Sequence, residues 1–343
     1  INLISKPENF ENDNEGDGRR FYTDGHKIHE YLKELNENSF GKYNDVVTVG
    51  EMSSTSIENC IKYSNEKEKE LSMTFNFHHL KVDYKDGDKW SDMDFDFMKL
   101  KELFNSWQTE MDNGGGWNAL FWCNHDQPRI VSRFGNDKEF HRESATMLAA
   151  AVHLMKGTPY IYQGEEIGMT NAYFESIDEY RDVESLNYYN ILTKEKSKNE
   201  VLEVLQKKSR DNSRTPMQWD NSENAGFTKG TPWIKVCKNY KDINAESQLN
   251  DEESIFSFYK KLIELRKKLE IIQYGSFEII DIENENLYVY KRKYKNQELL
   301  VICNFYNVEV KNTLEIDAYE LILGNYAESD EYIRPYEARV YIK

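Results

Sequence analysis

Cysteine is scarce and scattered in this sequence. Cys60, Cys123, Cys237 and Cys303 are the only four in 343 residues, with no Cys-x-x-Cys and no Cys/His cluster. Neither a zinc site nor a disulfide framework is expected, and a reducing, cytoplasmic setting fits this usage. Basic residues are also in short supply. Forty-four Lys and Arg against 61 Asp and Glu leave a net charge of −17. That balance argues against a nucleic acid partner, which would need a basic face. An anionic ligand would need a local basic island inside a repulsive field. No apolar run approaches the ~18–20 residues that cross a bilayer, so no membrane partner is expected. A His-x-x-x-His pair and a Gly-x-Ser-x-Gly elbow are both missing. Gly114-Gly115-Gly116 lacks the flanking residues of a phosphate loop and reads as a turn from helix to strand. No metal and no cofactor is expected.

What is present points to a folded core. Hydrophobic residues make up 39% of the chain and aromatics 13%, with 23 Tyr and 6 Trp. This is enough to exclude wholesale disorder. Aromatic rings also stack on sugar faces, although packing in a core is the commoner use. Up to about residue 270, strand-like and helix-like segments alternate. DVVTV (45–49), LSMTFNF (71–77), Trp117 to Cys123 and PYIY (159–162) read as strands. Helical spacing is seen in Ile28, Tyr31, Leu32 and Leu35, and in Phe97, Leu100, Phe104, Trp107 and Met111. Ser144 is a candidate cap for a helix carrying Met147, Leu148 and Ala151, and Ser254 for one carrying Ile255, Phe258 and Leu262. This alternation predicts parallel βαβ units over residues 1–270. From about 271 to 343 only short alternating runs remain, which predicts a small antiparallel β-domain. The segment from 164 to about 250 shows little periodicity and is expected to be functional loop.

Two carboxylates follow short apolar runs. Glu51 lies in TVGEMSS (48–54), and Asp126 lies in FWCNHDQPR (121–129). In a (β/α) barrel the reactive groups come from strand C-terminal ends, and paired carboxylates suit glycosidic bond cleavage. The plainer alternative is that Glu51 caps the next helix and Asp126 pairs with Arg129 or Arg133. His125 is a candidate donor to a sugar hydroxyl, or else a structural histidine.

These motifs, together with GTPYIYQGEEIGM (157–169), YRDVES (180–185) and SRDNSRTPMQW (209–219), resemble glycoside hydrolase family 13, the α-amylase clan. The resemblance is collinear and covers nearly the whole chain. It implies the second half of a (β/α)8 TIM barrel at 1–270 and a C-terminal antiparallel β-sandwich at 271–343. By resemblance Glu51 is the general acid/base, Asp126 the carboxylate that stabilises the transition state, and His125 a ligand to the same glucose. Arg210 is a weaker candidate for contact with that sugar, and Arg214 is the alternative. The family's nucleophilic Asp would lie just upstream of Ile1, so INLISK looks like the continuation of a strand already under way. On this reading the chain by itself is expected to hydrolyse nothing, and to dimerise through open barrel edges or to need its other half.

LSMTFNFHHLKVDY (71–84), with Lys89-Trp90 and GDGRRFYTDG (16–25), resembles the branch of the family that cleaves a sugar phosphate. The expected reaction is retaining hydrolysis of α,α-trehalose 6-phosphate to glucose and glucose 6-phosphate. Lys81 and Lys89 would supply the positive charge that a 6-phosphate requires, with His78 and His79 as further donors. Glu51 is expected to be buried near other carboxylates, which would keep it protonated as an acid. The alternatives are cleavage of isomaltose and short α-1,6-glucans, and a non-catalytic relative that keeps the fold.

Overall fold

The computed structural model describes residues 22–327 and 331–343; INLISK and the first part of GDGRRFYTDG lie outside them. Four short parallel strands, β1 (Val49–Met52), β2 (Met73–Asn76), β3 (Asn118–Leu120) and β4 (Thr158–Pro159), form a sheet in chain order. Glu51 stands opposite Phe75, Phe75 opposite Ala119, and Ala119 opposite Thr158. Parallel neighbours need crossover connections, usually helical, and helices fill each gap. Helix α1 (Ile28–Asn38) precedes β1. Helices α2 (Ile57–Ser64) and α3 (Phe97–Gly114) follow β1 and β2, and α4 (Ile130–Arg133) and α5 (His141–His153) follow β3. The sheet is a partial barrel, with β1 and β4 at its edges.

The helices start and stop where side chains satisfy their free ends. Ser56 caps α2 by accepting from the Asn59 amide, and Asp96 caps α3 by accepting from that of Lys99. Leu100, Phe104, Trp107 and Met111 bury one face of α3. The glycine run then ends it: Gly115 takes φ +72°, and the Gly116 amide returns to the Met111 carbonyl at 2.8 Å. That left-handed turn feeds the chain directly into β3.

Four local expectations need correction. DVVTV does not pair along its length: β1 starts at Val49, and Val46 and Val47 are exposed. Its β-branched run has local propensity, but among the described residues only its end is partnered, because the ladder with β2 begins where Val49 meets Met73. Only the first residue of PYIY belongs to β4. Ser144 is not a cap. Helix α5 begins three residues earlier, and the Ser144 hydroxyl is buried, bonding the amide and carbonyl of Asn136. The stretch from 164 to 250 is not all loop. It holds α6 (Val183–Leu192), α7 (Lys198–Lys208), α8 (Asp211–Arg214) and α9 (Ala245–Gln248). Helix α6 hid because its apolar residues do not form one stripe; Val183 and Ile191 remain exposed.

Helix α10 (Ile255–Lys268), capped by Ser254 as expected, leads through α11 (Glu270–Tyr274) into the C-terminal part. Strands β5 (Ser276–Ile280), β6 (Leu287–Tyr294), β7 (Gln297–Asn304), β9 (Glu320–Gly324) and β11 (Ala338–Ile342) form an antiparallel sheet in the order β5-β6-β7-β11-β9. Strands β8 (Val310–Lys311) and β10 (Tyr332–Ile333) pair separately. Period-2 alternation divides the central strands between two cores. Tyr288, Tyr290, Val301, Cys303 and Val340 pack in one cluster with Phe104, Trp122 and Leu148 of the barrel part. Val289, Leu300, Ile302 and Tyr341 turn the other way, onto Ile333 and Val310. The second layer of the expected sandwich is therefore only a two-stranded ribbon. The sheet's inner face is continuous with the barrel core and packs on α3 and α5.

Candidate active site

Each strand end delivers its groups through a short turn. After β3, the Asn124 side chain accepts from the Asp126 amide at 2.8 Å, which fixes a tight turn and points Asp126 outward. Arg214 then reaches it from the end of α8. Its Nη2 lies 2.5 Å from Asp126 Oδ1, its Nε donates to the His125 carbonyl at 2.8 Å, and its Nη1 meets Asp182 Oδ1 at 3.1 Å. Asp182 is also the N-cap of α6. Arg210 Nη1 is farther from Asp126, at 3.8 Å, while its Nε lies 2.9 Å from Glu184 Oε2. The same Glu184 oxygen receives Lys89 at 2.7 Å. Lys89 also sits 4.7 Å from the Trp90 ring centroid. Burial pushes the Lys89 ammonium below its usual range, and Glu184 partly offsets this. Lys89, Glu184, Arg210, Asp126 and Arg214 thus make one continuous charged chain, with His125 Nε2 3.6 Å from Asp126 Oδ2.

Glu51 comes from the end of β1, two strands away from β3, or roughly 10 Å across the sheet. It is exposed among the described residues, so the burial expected around it does not come from them. It is not a helix cap either, since Ser56 fills that position. Lys81, just past β2, donates to the Ser53 carbonyl, and so stands beside the Glu51 strand end. The two lysines therefore belong to different groups: Lys81 lies with Glu51 and Lys89 with Asp126.

The plainer partners of Asp126 are engaged elsewhere. Arg133 makes a bidentate pair with Asp83, at 2.8 and 2.7 Å, and Lys208 joins the same carboxylate at 2.7 Å. Burial alone would raise the Asp83 carboxyl, but Arg133 and Lys208 outweigh it and hold the group below the usual carboxylate range. Arg133 also donates to Gln127 Oε1 at 2.9 Å, which braces the residue after Asp126. Arg129 is buried and donates to the Gln163 carbonyl at 2.6 Å.

His79 is not a phosphate donor. Its Nε2 lies 2.9 Å from the Phe121 carbonyl inside the core, and burial lowers its pKa to about 4, against the effect of that bond. His78 is half-buried 5.1 Å from Trp107, with burial and then Lys81 lowering its pKa. Sequence reasoning missed Asp182 and Glu184, although both lie in YRDVES. An Asp three residues before a Ser at the start of a helical run was the available signal for the cap.

The model of the alpha-amylase catalytic domain matches residues 1–275. The chain belongs to the alpha-amylase family. Within that family it is 55% identical to the trehalose-6-phosphate hydrolase of Bacillus subtilis (strain 168), over 99% of this chain and 63% of that protein. It is 46% identical to the oligo-1,6-glucosidase of Bacillus cereus, over 99% of this chain and 64% of that protein. The crystal structure of Bacillus licheniformis trehalose-6-phosphate hydrolase superposes with a TM-score of 0.92 at 55% identity, covering 96% of this chain and 61% of that one. The chain thus spans about three-fifths of the length of these alpha-amylase relatives. Among its described residues no group of three or more His, Cys, Asp or Glu side chains is placed to hold a metal ion, and no helix is long and apolar enough to cross a membrane.

Proposed function

We propose that the longer polypeptide this chain represents hydrolyses α,α-trehalose 6-phosphate to glucose and glucose 6-phosphate with retention of configuration. The observation that carries this reading is the charged chain from Lys89 to Asp126. In a protein of net charge −17, it brings Arg210 and Arg214 to the strand-end carboxylate Asp126 and links Lys89 to them through Glu184. Cations brought to a strand end in this way, each shared with a carboxylate, suit a sugar that carries a phosphate. The similarity to trehalose-6-phosphate hydrolases points the same way.

In this mechanism Glu51 protonates the leaving oxygen and later activates water. Its exposed position leaves room for a substrate to cover and desolvate it. Asp126 binds hydroxyls of the reacting glucose and steadies positive charge at the anomeric carbon, with His125 as a further ligand. Arg214 holds Asp126 in place, and Arg210, 3.8 Å from that carboxylate, is the weaker candidate for contact with the same glucose. The nucleophilic carboxylate comes from the part of the longer protein that the relatives have and this chain lacks. Lys81 beside Glu51 and Lys89 beside Trp90 receive the phosphate, which must share Lys89 with Glu184.

The test compares kcat/KM of the full-length protein on trehalose 6-phosphate and on isomaltose. Preference for isomaltose would replace this reading with the second one, an oligo-1,6-glucosidase, which the 46% identity to the Bacillus cereus enzyme supports. The 343-residue chain alone is proposed to show no turnover. The edges at β1 and β4, unpaired among the described residues, are a pairing hazard, so the chain is proposed to dimerise or to need its other half. Turnover by the isolated chain, or a monomer in sedimentation, would count against these two statements. The proposed place of action is the cytoplasm, where the four buried thiols stay reduced.

A further inference from the structure

Arg129 is buried to 1% exposure, yet no carboxylate pairs with it among the described residues. Its hydrogen bonds go to carbonyls and sulfur: Nη1 to Gln163 O at 2.6 Å, and Nη2 to Ser213 O at 3.5 Å and Met169 Sδ at 3.8 Å. Its Nε has no partner among the described residues. Glu165 and Glu166 feel its charge but do not touch it, and burying a guanidinium with no carboxylate in contact is costly. A residue that served packing alone would not need the charge.

The position explains what the charge holds. Arg129 ends the motif that carries Asp126, and its own amide donates to the Asn171 side chain at 2.9 Å. Its guanidinium lies 5.2 Å from the Tyr162 ring centroid, on the turn after β4, and the Tyr162 hydroxyl donates to the same Ser213 carbonyl at 3.0 Å. The Ser213 hydroxyl in turn donates to the Gln127 carbonyl. Gly164 belongs to this arrangement: it takes φ +85°, and a Cβ there would strike Met169 and lie 3.2 Å from Arg129 Nη1. Ser213 is therefore held from two sides by its carbonyl and from a third by its hydroxyl. The next residue is Arg214, which grips both His125 and Asp126.

We propose that Arg129 is a positioning residue: by holding the Ser213 carbonyl with Tyr162, it sets the Arg214 guanidinium on Asp126, and so places the stabilising carboxylate for the glycosidic bond cleavage proposed above. The inference rests on that proposed reaction, and the experiment separates the two. A misplacement of about 1 Å costs on the order of 10²-fold in rate when it falls on a reacting group. Arg129 itself touches no substrate, so its loss acts mainly on kcat.

The experiment uses the full-length protein with trehalose 6-phosphate. It compares wild type, Arg129→Lys, Tyr162→Phe, Arg214→Ala and the two doubles with Arg214→Ala, with the folded fraction measured by circular dichroism. Absence of turnover by the wild type overturns the proposed reaction itself. If the wild type is active, Arg129→Lys is expected to lower kcat per folded molecule about tenfold or more with KM within about threefold, and Tyr162→Phe to do the same more weakly. In the Arg214→Ala background both losses should shrink to about twofold or less, because the group they position is gone. Losses that are undiminished in that background, or that vanish once the folded fraction is corrected, overturn the inference. Should Arg129→Lys not fold, the Tyr162→Phe cycle decides by the same criterion.

Discussion

Two carboxylates on neighbouring elements are each gripped by an arginine, yet they occupy opposite environments. Asp83 is 4% exposed and closed in by Arg133 and Lys208, themselves 3% and 4% exposed. Asp126 is 31% exposed and shares Arg214, 23% exposed, with Asp182 and the His125 carbonyl. Gln127 links the pairs, accepting from Arg133 through its side chain and from Ser213 through its backbone. The same ion-pair chemistry is used once to anchor and once to present. A dry, fully bonded triad has no valence left for a ligand. A half-open carboxylate fixed from one side keeps the other side for substrate.

The largest effect should come from breaking the closed triad. Asp83→Asn leaves two buried cations short of a charge and should cost about 3–5 kcal/mol of stability. Guanidinium unfolding of the full-length protein measures it. A loss under 1 kcal/mol would mean the triad is not an anchor. Since the folded Asp83 carboxyl is held low, its contribution is present above the unfolded value of 3.8 and lost as pH falls through the lower folded value. Asp126→Asn should do the reverse. It should spare stability and lower kcat on the order of 10²–10³-fold, and an unfolding midpoint that moved as far as that of Asp83→Asn would erase the distinction.

Glu165 extends the comparison to a carboxyl that is buried without a bonded cation. Its Oε1 accepts from Tyr259 at 2.9 Å, Oε2 has no partner among the described residues, and burial raises its pKa to about 7 despite the Tyr259 bond. The folded value lies above the unfolded 4.5, so the folded state holds this proton more tightly. Its contribution is complete below 4.5 and lost as pH rises through about 7, up to about 3 kcal/mol. Glu165→Gln should flatten the stability profile across that window, and an unchanged slope would show that Glu165 does not titrate there.

The smallest effect concerns the rim. Lys89→Ala and Lys81→Ala should each weaken binding of trehalose 6-phosphate by about 1.5–3 kcal/mol, read as KM, if each makes a charged hydrogen bond to phosphate. Binding of unphosphorylated trehalose should barely change. Equal losses on both sugars would remove the lysine from the phosphate site. Lys89 should show the smaller effect of the two, because Glu184 already competes for it.

Much of this was legible in the sequence. Period-3.6 and period-2 patterns depend on near neighbours, so the alternation of strands and helices, the two-faced C-terminal strands and the Ser254 cap could be read directly. Motif order likewise placed Glu51 and Asp126 at strand ends. The errors came where a partner decided the outcome. DVVTV had propensity, but the strand beside it reaches only as far as Val49, and the Ser144 hydroxyl was claimed by Asn136.

The site followed the same division. Composition and motif order determined the fold class, the acidic balance of the chain and the identity of the strand-end carboxylates. Tertiary structure alone decided that Asp126 meets Arg214, 88 residues away, that Lys89 meets Glu184 at a separation of 95, and that Arg133 turns to Asp83, 50 residues back. Ion pairing and burial depend on distance in space, and chain periodicity carries no information about which distant charge will arrive.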